Sequence, residues 1–354
     1  MVTRTVFPIK EPAALKNTEV FTMKNMRKMK KTILSLICAF VFIISGAACE
    51  AAGQSGPRNS PIHIGILQMM EHPSLDLIRE SFLEEMANLG YDDVIFDHRN
   101  GQGTDMTLLT SIAQVFIGNE VDLILAIATP AAQAAAAATR DIPVIFAASS
   151  SPVAAGLVSS LDAPDANVTG TSDVICVQSI FAFARQLVPE ARTFGFVYNL
   201  GEVNSVSAIN AAKAYLAASG LTYYEATVTS TAEVQQAALS LVGRVDAFFT
   251  PTDNTVASAM PIYARVAIDA GLPIFTGADS MVIDGGLATV GIDYAILGAE
   301  TARLVSRVLA GTPISELPVV GMSDFRTIVN RATAEAIGVS LDGLGDYVEI
   351  YEGR

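Results

Sequence analysis

At 354 residues the chain can hold two domains with cores of their own, and a composition 51% apolar and only 16% charged excludes a disordered or coiled-coil chain. The formal net charge is −14, and beyond residue 31 the balance is 14 bases against 34 acids, a net of −20, with Lys213 the one lysine. So acidic a body excludes nucleic acid and an anionic membrane face as partners.

In chain order, residues 24–31 are basic, 33–45 apolar, and Gly46-Ala47-Ala48-Cys49 ends the run in small residues. That layout predicts an exported chain with a signal peptide over 1–49 closing in a lipobox, Cys49 being the residue to carry lipid. The apolar run is short of the roughly 20 residues a membrane span needs. Gly, Ser, Pro and Asn dominate 50–61, which reads as a flexible tether. With Cys38 in the signal core and Cys49 at its end, Cys176 stands alone in the mature body. No intramolecular disulfide is expected, and Cys176 reads as a small buried apolar residue.

The first lobe is expected over 62–170. Apolar runs predict strands at 62–68, 93–97, 122–126 and 144–147, with helices at 74–89, 105–118 and 130–138 between them. Turn-forming residues fill 157–171, which reads as a connection between lobes. The second lobe, 171–293, opens with a helix at 177–187, stopped by Pro189. Strands follow at 193–198, 223–227, 246–250, 274–276 and 287–290, with helices at 205–219, 231–242 and 255–270. A helix at 294–310 begins a return to the first lobe over part of 294–320, with short strands at 317–320 and 326–329. Residues 321–354 read as a C-terminal segment with a helix at 333–337.

Two stretches, 121–152 and 245–280, repeat one pattern: Val-Asp, an apolar strand, Thr-Pro, a helix, then Pro and a short strand ending in small polar residues. Their flanks match as well, at an offset of about 125–130 residues, which is a duplicated lobe rather than a solenoid. The fold class is α/β, two Rossmann-like lobes with parallel sheets joined by a hinge. In such sheets ligands bind beyond the carboxyl ends of the strands.

That rule selects Gln68 and His72 after the first strand, Thr129 after the third, and Ser149, Ser150 and Ser151 after the fourth. In the second lobe it selects Asn204, Asp253, Asn254, Asp279 and Asp293. Thr129 before Pro130 would seat a carboxylate at a helix N-terminus, helped by the three serines. Asp253, Asp279 and Asp293 would receive an ammonium, and Gln68, His72, Asn204 and Asn254 the remaining polar atoms. Set against this, Thr129 and Asp253 also read as plain helix caps, His72 as a turn residue and the serines as a polar loop. Asp279 and Asp293 follow apolar strands, where an unpartnered carboxylate is costly. No nucleophile elbow, phosphate loop or metal-binding motif is present, and no enzyme activity, cofactor or metal is expected.

Several motifs, in order, carry a resemblance: Ile64-Gly65-Ile66-Leu67-Gln68, Ala128-Thr129-Pro130, Asn167-Val168-Thr169-Gly170, Glu202-Val203-Asn204-Ser205, Pro251-Thr252-Asp253-Asn254 and Gly291-Ile292-Asp293-Tyr294. Over about 62–318 the chain resembles the ABC-transporter substrate-binding family that includes the tryptophan-binding lipoprotein TrpX. The resemblance implies a type I periplasmic-binding fold and export to the periplasm or the outer side of the membrane. It implies a small ligand, an amino acid and an aromatic one in characterised relatives, delivered by a monomer to a permease with a cytoplasmic ATPase. Ser151 departs from the family, which usually has Asp before the corresponding proline. If that Asp touches ligand, the charge in the cleft changes, and a different amino acid or another small polar or aromatic carboxylate becomes an alternative to an aromatic amino acid. A sensor feeding a membrane receptor and an exported two-domain enzyme are the alternatives; a permease and ATPase encoded alongside, or turnover of a substrate, would separate them.

Overall fold

A computed structural model describes residues 61–354 except Thr104, Asp165 and Arg354. The expected signal peptide, Cys49 and all but the last residue of the tether lie outside the described residues. Among the described residues no helix is long and apolar enough to cross a membrane.

The order of elements is β1 (His63–Gln68), α1 (Pro73–Asn88), β2 (Ile95–Asn100), α2 (Met106–Gly118), β3 (Leu123–Ile127), α3 (Thr129–Ala138), β4 (Val144–Ala147) and β5 (Val168–Ser172). Then come α4 (Val177–Leu187), β6 (Thr193–Asn199), α5 (Val203–Ala218), β7 (Thr222–Val228), α6 (Val234–Leu241), β8 (Ala247–Thr250), α7 (Asn254–Ser258), α8 (Met260–Asp269), β9 (Ile274–Thr276), α9 (Asp279–Ile283) and β10 (Ala288–Ile292). The chain ends with α10 (Tyr294–Leu309), β11 (Val320–Gly321), β12 (Phe325–Asn330), α11 (Arg331–Ile337) and β13 (Val348–Tyr351).

One sheet runs β11-β5-β4-β3-β1-β2 and is parallel throughout. The other runs β13-β12-β10-β9-β8-β6-β7, parallel except where β12 lies antiparallel to β10. Within each, five strands take the same order: β2-β1-β3-β4-β5 in one and β7-β6-β8-β9-β10 in the other. The duplicated text is thus a duplicated topology. Its central strands, such as Leu123–Ile127, are buried along their whole length because helices cover both faces. The first helix turns Leu75, Ile78, Phe82 and Met86 to that sheet at helical spacing.

The chain passes between the sheets three times: at 173–176 after β5, at Asp293 after β10, and at 322–324 after β11. On the first arrival Phe181 anchors α4, its ring 5.0 Å from both Phe194 and Phe249. On the return α10 packs along α1 so closely that a Cβ on Gly298 would stand 2.5 Å from the Ile78 carbonyl oxygen. The final passage adds β12 and β13 to the second sheet, residues that read from sequence as a separate terminal segment.

Three local expectations change. Residues 168–172, expected in a connection, form a fully buried strand, and Gly170 is what lets it in, since a Cβ there would meet the Phe146 ring at 2.5 Å. The single helix expected at 255–270 breaks at Ala259, because Pro261 has no N–H to continue the ladder. Cys176 is half-exposed at the start of α4, its Sγ 3.0 Å from Ser179 Oγ, rather than a core residue.

Candidate functional site

The carboxyl ends of both sheets face a shared cleft. Its polar lining includes His72 and Ser150 from the first lobe, Asn204, Asp253 and Asn254 from the second, Asp173 from the first passage between them and Tyr294 from the start of α10. Leu75, Ala148, Ala257, Ala278 and Met281 supply the apolar part. Among the described residues no lysine or arginine lines it.

Asp173, the first residue after β5, is only 3% exposed. Ser150 Oγ donates to its Oδ1 at 2.8 Å and the Tyr294 hydroxyl to its Oδ2 at 3.2 Å. Burial raises its pKa above the ordinary carboxylate value, and the two hydroxyls pull it back only in part. Among the described residues no cation pairs with it. Tyr294 in turn is pushed well above the ordinary phenol value by burial and by Asp173.

On the second lobe Glu202, 1% exposed, accepts from the backbone N–H groups of Asn254 and Thr255, the Thr255 hydroxyl and Asn254 Nδ2. Asp253 caps α7 through Val256 N–H and accepts from Asn199 N–H at 2.6 Å. Burial, and then the neighbouring Glu202, push Asp253 up to about 7. Asn204 donates to the Thr252 carbonyl at 2.9 Å, while its Oδ1 is buried without a partner.

The lobes touch through neutral groups. His72 Nε2 lies 3.2 Å from Asn254 Oδ1, Ser74 Oγ 2.5 Å from Ser280 Oγ, and Ser150 Oγ 2.9 Å from Thr252 Oγ1. His72 is the residue before α1 but makes no side-chain cap, which frees its ring to cross the gap. Its Nδ1 is the other cleft atom buried without a partner, and burial lowers the ring's pKa below its usual 6.5.

Of the residues selected from sequence, His72, Ser150, Asn204, Asp253 and Asn254 meet at the cleft, and the other six lie outside its lining. Gln68 is locked inside the first lobe between Asp76, Arg79 and the Met70 carbonyl. Thr129 is not the cap expected of it: α3 already starts there, Ala128 is the capping position, and the Thr129 hydroxyl turns to Ser149 at 3.0 Å. Ser149 is fully buried with that partner, and Ser151 takes part through its carbonyl, which accepts from Ala155 N–H. Asp293 caps α10 and forms an ion pair with Arg326 at 2.9 Å, so its charge is already met. Asp279 accepts from Ser280 N–H within the field of the same arginine.

Sequence reasoning missed Asp173 and Glu202 as site residues. Asp173 follows a stretch that reads as turns, and Glu202 sits inside a quoted motif but holds the site from behind.

A family model described as ABC transporter substrate binding protein matches residues 63–343. A tyrosine-binding protein of Clostridioides difficile is 38% identical over 324 residues, covering 88% of this chain and 93% of that protein. The crystal structure of an ABC domain in complex with L-Trp from Streptococcus pneumonia is similar at a TM-score of 0.78 and 37% identity, over 80% of this chain and 97% of that one. A ligand-free, open substrate-binding protein with adhesive properties from Clostridium difficile reaches 0.64 at 38% identity, over 83% and 100%. At nearly equal identity the present arrangement of lobes is nearer to the complex than to the open form, in keeping with the hydroxyl contacts across the gap.

Proposed function

The chain belongs to the ABC transporter substrate binding protein family, and from that premise we propose that it captures an aromatic amino acid in the interlobe cleft and delivers it to the importer's permease. The observation that carries this reading is Asp173: a buried carboxylate facing the interlobe cleft, which among the described residues no lysine or arginine lines. A ligand ammonium is the partner that such a group lacks. Ser150 keeps its one proton on Asp173, so the Thr252 hydroxyl, which donates to Ser150 across the gap, turns to the ligand carboxylate when it enters. Leu75, Ala257 and Met281 then enclose the side chain. Relatives named for tyrosine and bound to L-Trp support the aromatic choice.

The departure at Ser151 falls outside the lining, so it leaves the charge in the cleft to Asp173 and Asp253. The lobes close about the three chain passages, as periplasmic binders do. The protein binds without chemical turnover and works outside the cytoplasm as a monomer, tied to the membrane by lipid on Cys49. A micromolar affinity corresponds to about −8 kcal/mol, within reach of one desolvated ion pair and closure over a ring.

Thermal-shift titration with L-tyrosine and L-tryptophan tests this. The wild-type protein is stabilised by one or both. Asp173→Asn keeps its circular dichroism spectrum but loses the shift, because the missing buried charge weakens binding by about 100-fold or more. An unaltered shift in the variant removes Asp173 from the site, and no shift with any amino acid ends the reading.

A further inference from the structure

Two acceptors in the cleft are buried without a donor, one on each lobe, and the hydrogen-bond network fixes what each can accept. Glu202 can only accept, so the Asn254 amide turns its Nδ2 to Glu202 at 2.6 Å and leaves Oδ1 for His72. An amide oxygen cannot donate, so the proton between them lies on His72 Nε2. With the ring neutral, Nδ1 is left as a bare lone pair, and it is one of the buried atoms with no partner. The second is Asn204 Oδ1, whose own amide nitrogen is spent on Thr252. A buried acceptor left without a donor is costly, so a bound ligand should serve both.

The two have different neighbours in the cleft. Asn204 is one hydrogen bond from Thr252, which touches Ser150 and through it Asp173, the end proposed above for the ligand's ammonium. His72 connects to Asn204 by way of Asn254 and Glu202, away from the links to Asp173, and shares its elements with the apolar lining. Leu75 follows it on α1, and Ala257 follows its partner Asn254 on α7. An ammonium has three N–H groups, enough for Asp173 and Asn204, but His72 sits where the side chain goes.

Resting on the amino-acid reading above, we infer that His72 is a specificity-determining residue: its Nδ1 receives an N–H or O–H carried by the ligand's side chain. The cleft therefore selects aromatic amino acids whose ring bears a donor, a phenol or an indole, over a ring that bears none. Sites built to bond a substrate hydroxyl or N–H reject the analogue without it, because their own buried group is left unpaired.

Isothermal titration of the purified protein with L-tyrosine, L-tryptophan and L-phenylalanine decides the matter. Phenylalanine is expected to bind about 100-fold more weakly than the better of the other two. His72→Phe, close in shape but without an acceptor, should bring that ratio below about threefold. Phenylalanine within threefold of the others in the wild-type protein overturns the inference, and that result does not depend on any variant folding. So does a ratio that persists in a folded His72→Phe. Asp173→Asn lowers all three affinities together if the parent reading holds, and the absence of binding by all three ends both.

Discussion

The two copies of the repeat carry nearly the same residues at their Thr-Pro corners and use them in opposite ways. In the first, β3 ends at Ile127, Ala128 takes φ 78°, and α3 begins at once with Thr129 and Pro130 inside its first turn. Thr129 and Ser149 close on each other away from the cleft. In the second, Thr250 still belongs to β8, Pro251 and Thr252 form the corner, and the helix waits for Asp253 to cap it. That shift delivers Thr252, Asp253 and Asn254 to the cleft with Glu202 behind them. Duplication preserved the scaffold, while the register of the helix start decided which corner lines the cleft. One corner is neutral and sealed, the other charged and open.

The charged corner yields the largest expected effect. Asp253 holds its proton to about pH 7 in the folded protein but releases it near 3.8 when unfolded. Between those values the folded state binds the extra proton, so this group's contribution to stability is present at acid pH and is lost as pH rises through about 7. The contribution is on the order of 4 kcal/mol at most. Melting temperatures of the ligand-free protein from pH 4 to 8 should show this slope flattened in Asp253→Asn. An identical slope in the variant would mean that the open corner carries no electrostatic cost.

A smaller effect separates the two threonines. Thr129→Val should lower stability by about 1 kcal/mol, the net worth of a buried hydrogen bond, with tyrosine or tryptophan affinity unchanged. Thr252→Val should do the reverse, weakening affinity about tenfold with little loss of stability. Equal behaviour of the two in chemical denaturation and ligand titration would erase the distinction between the corners. The smallest effect is at Ala128, whose φ 78° and ψ 154° suit glycine alone. Ala128→Gly should relieve strain of about 1–3 kcal/mol against an entropy cost of about 0.5–1 kcal/mol, a net gain of about 1 kcal/mol in urea melts. A loss there would show that the sealed corner is not strained.

Much of this was legible in the residues. Runs such as Leu123–Ile127 announce buried strands whatever surrounds them, and the rule that ligands gather at strand tips selected His72 and Asn254, which line the cleft. What the sequence hid depends on distant partners. Asp293 looked like a free carboxylate after a strand, but Arg326 reaches it only because β12 lies antiparallel to β10, a pairing that no local pattern announces. Asp173 was obscured for a different reason. The residues before it, Asn167 to Ser172, favour turns in isolation, and burial against Phe146 overrides that preference. A one-residue shift in where a helix begins, as at Thr129, lies below what periodicity can resolve.

The hydroxyl contacts that join the jaws carry no charge, and each is worth about 1 kcal/mol once water competes for the same groups. A latch so weak cannot hold an empty vessel shut for long. Cargo supplies the missing grip, and once the cargo is passed on only brief, uncharged links remain to be broken.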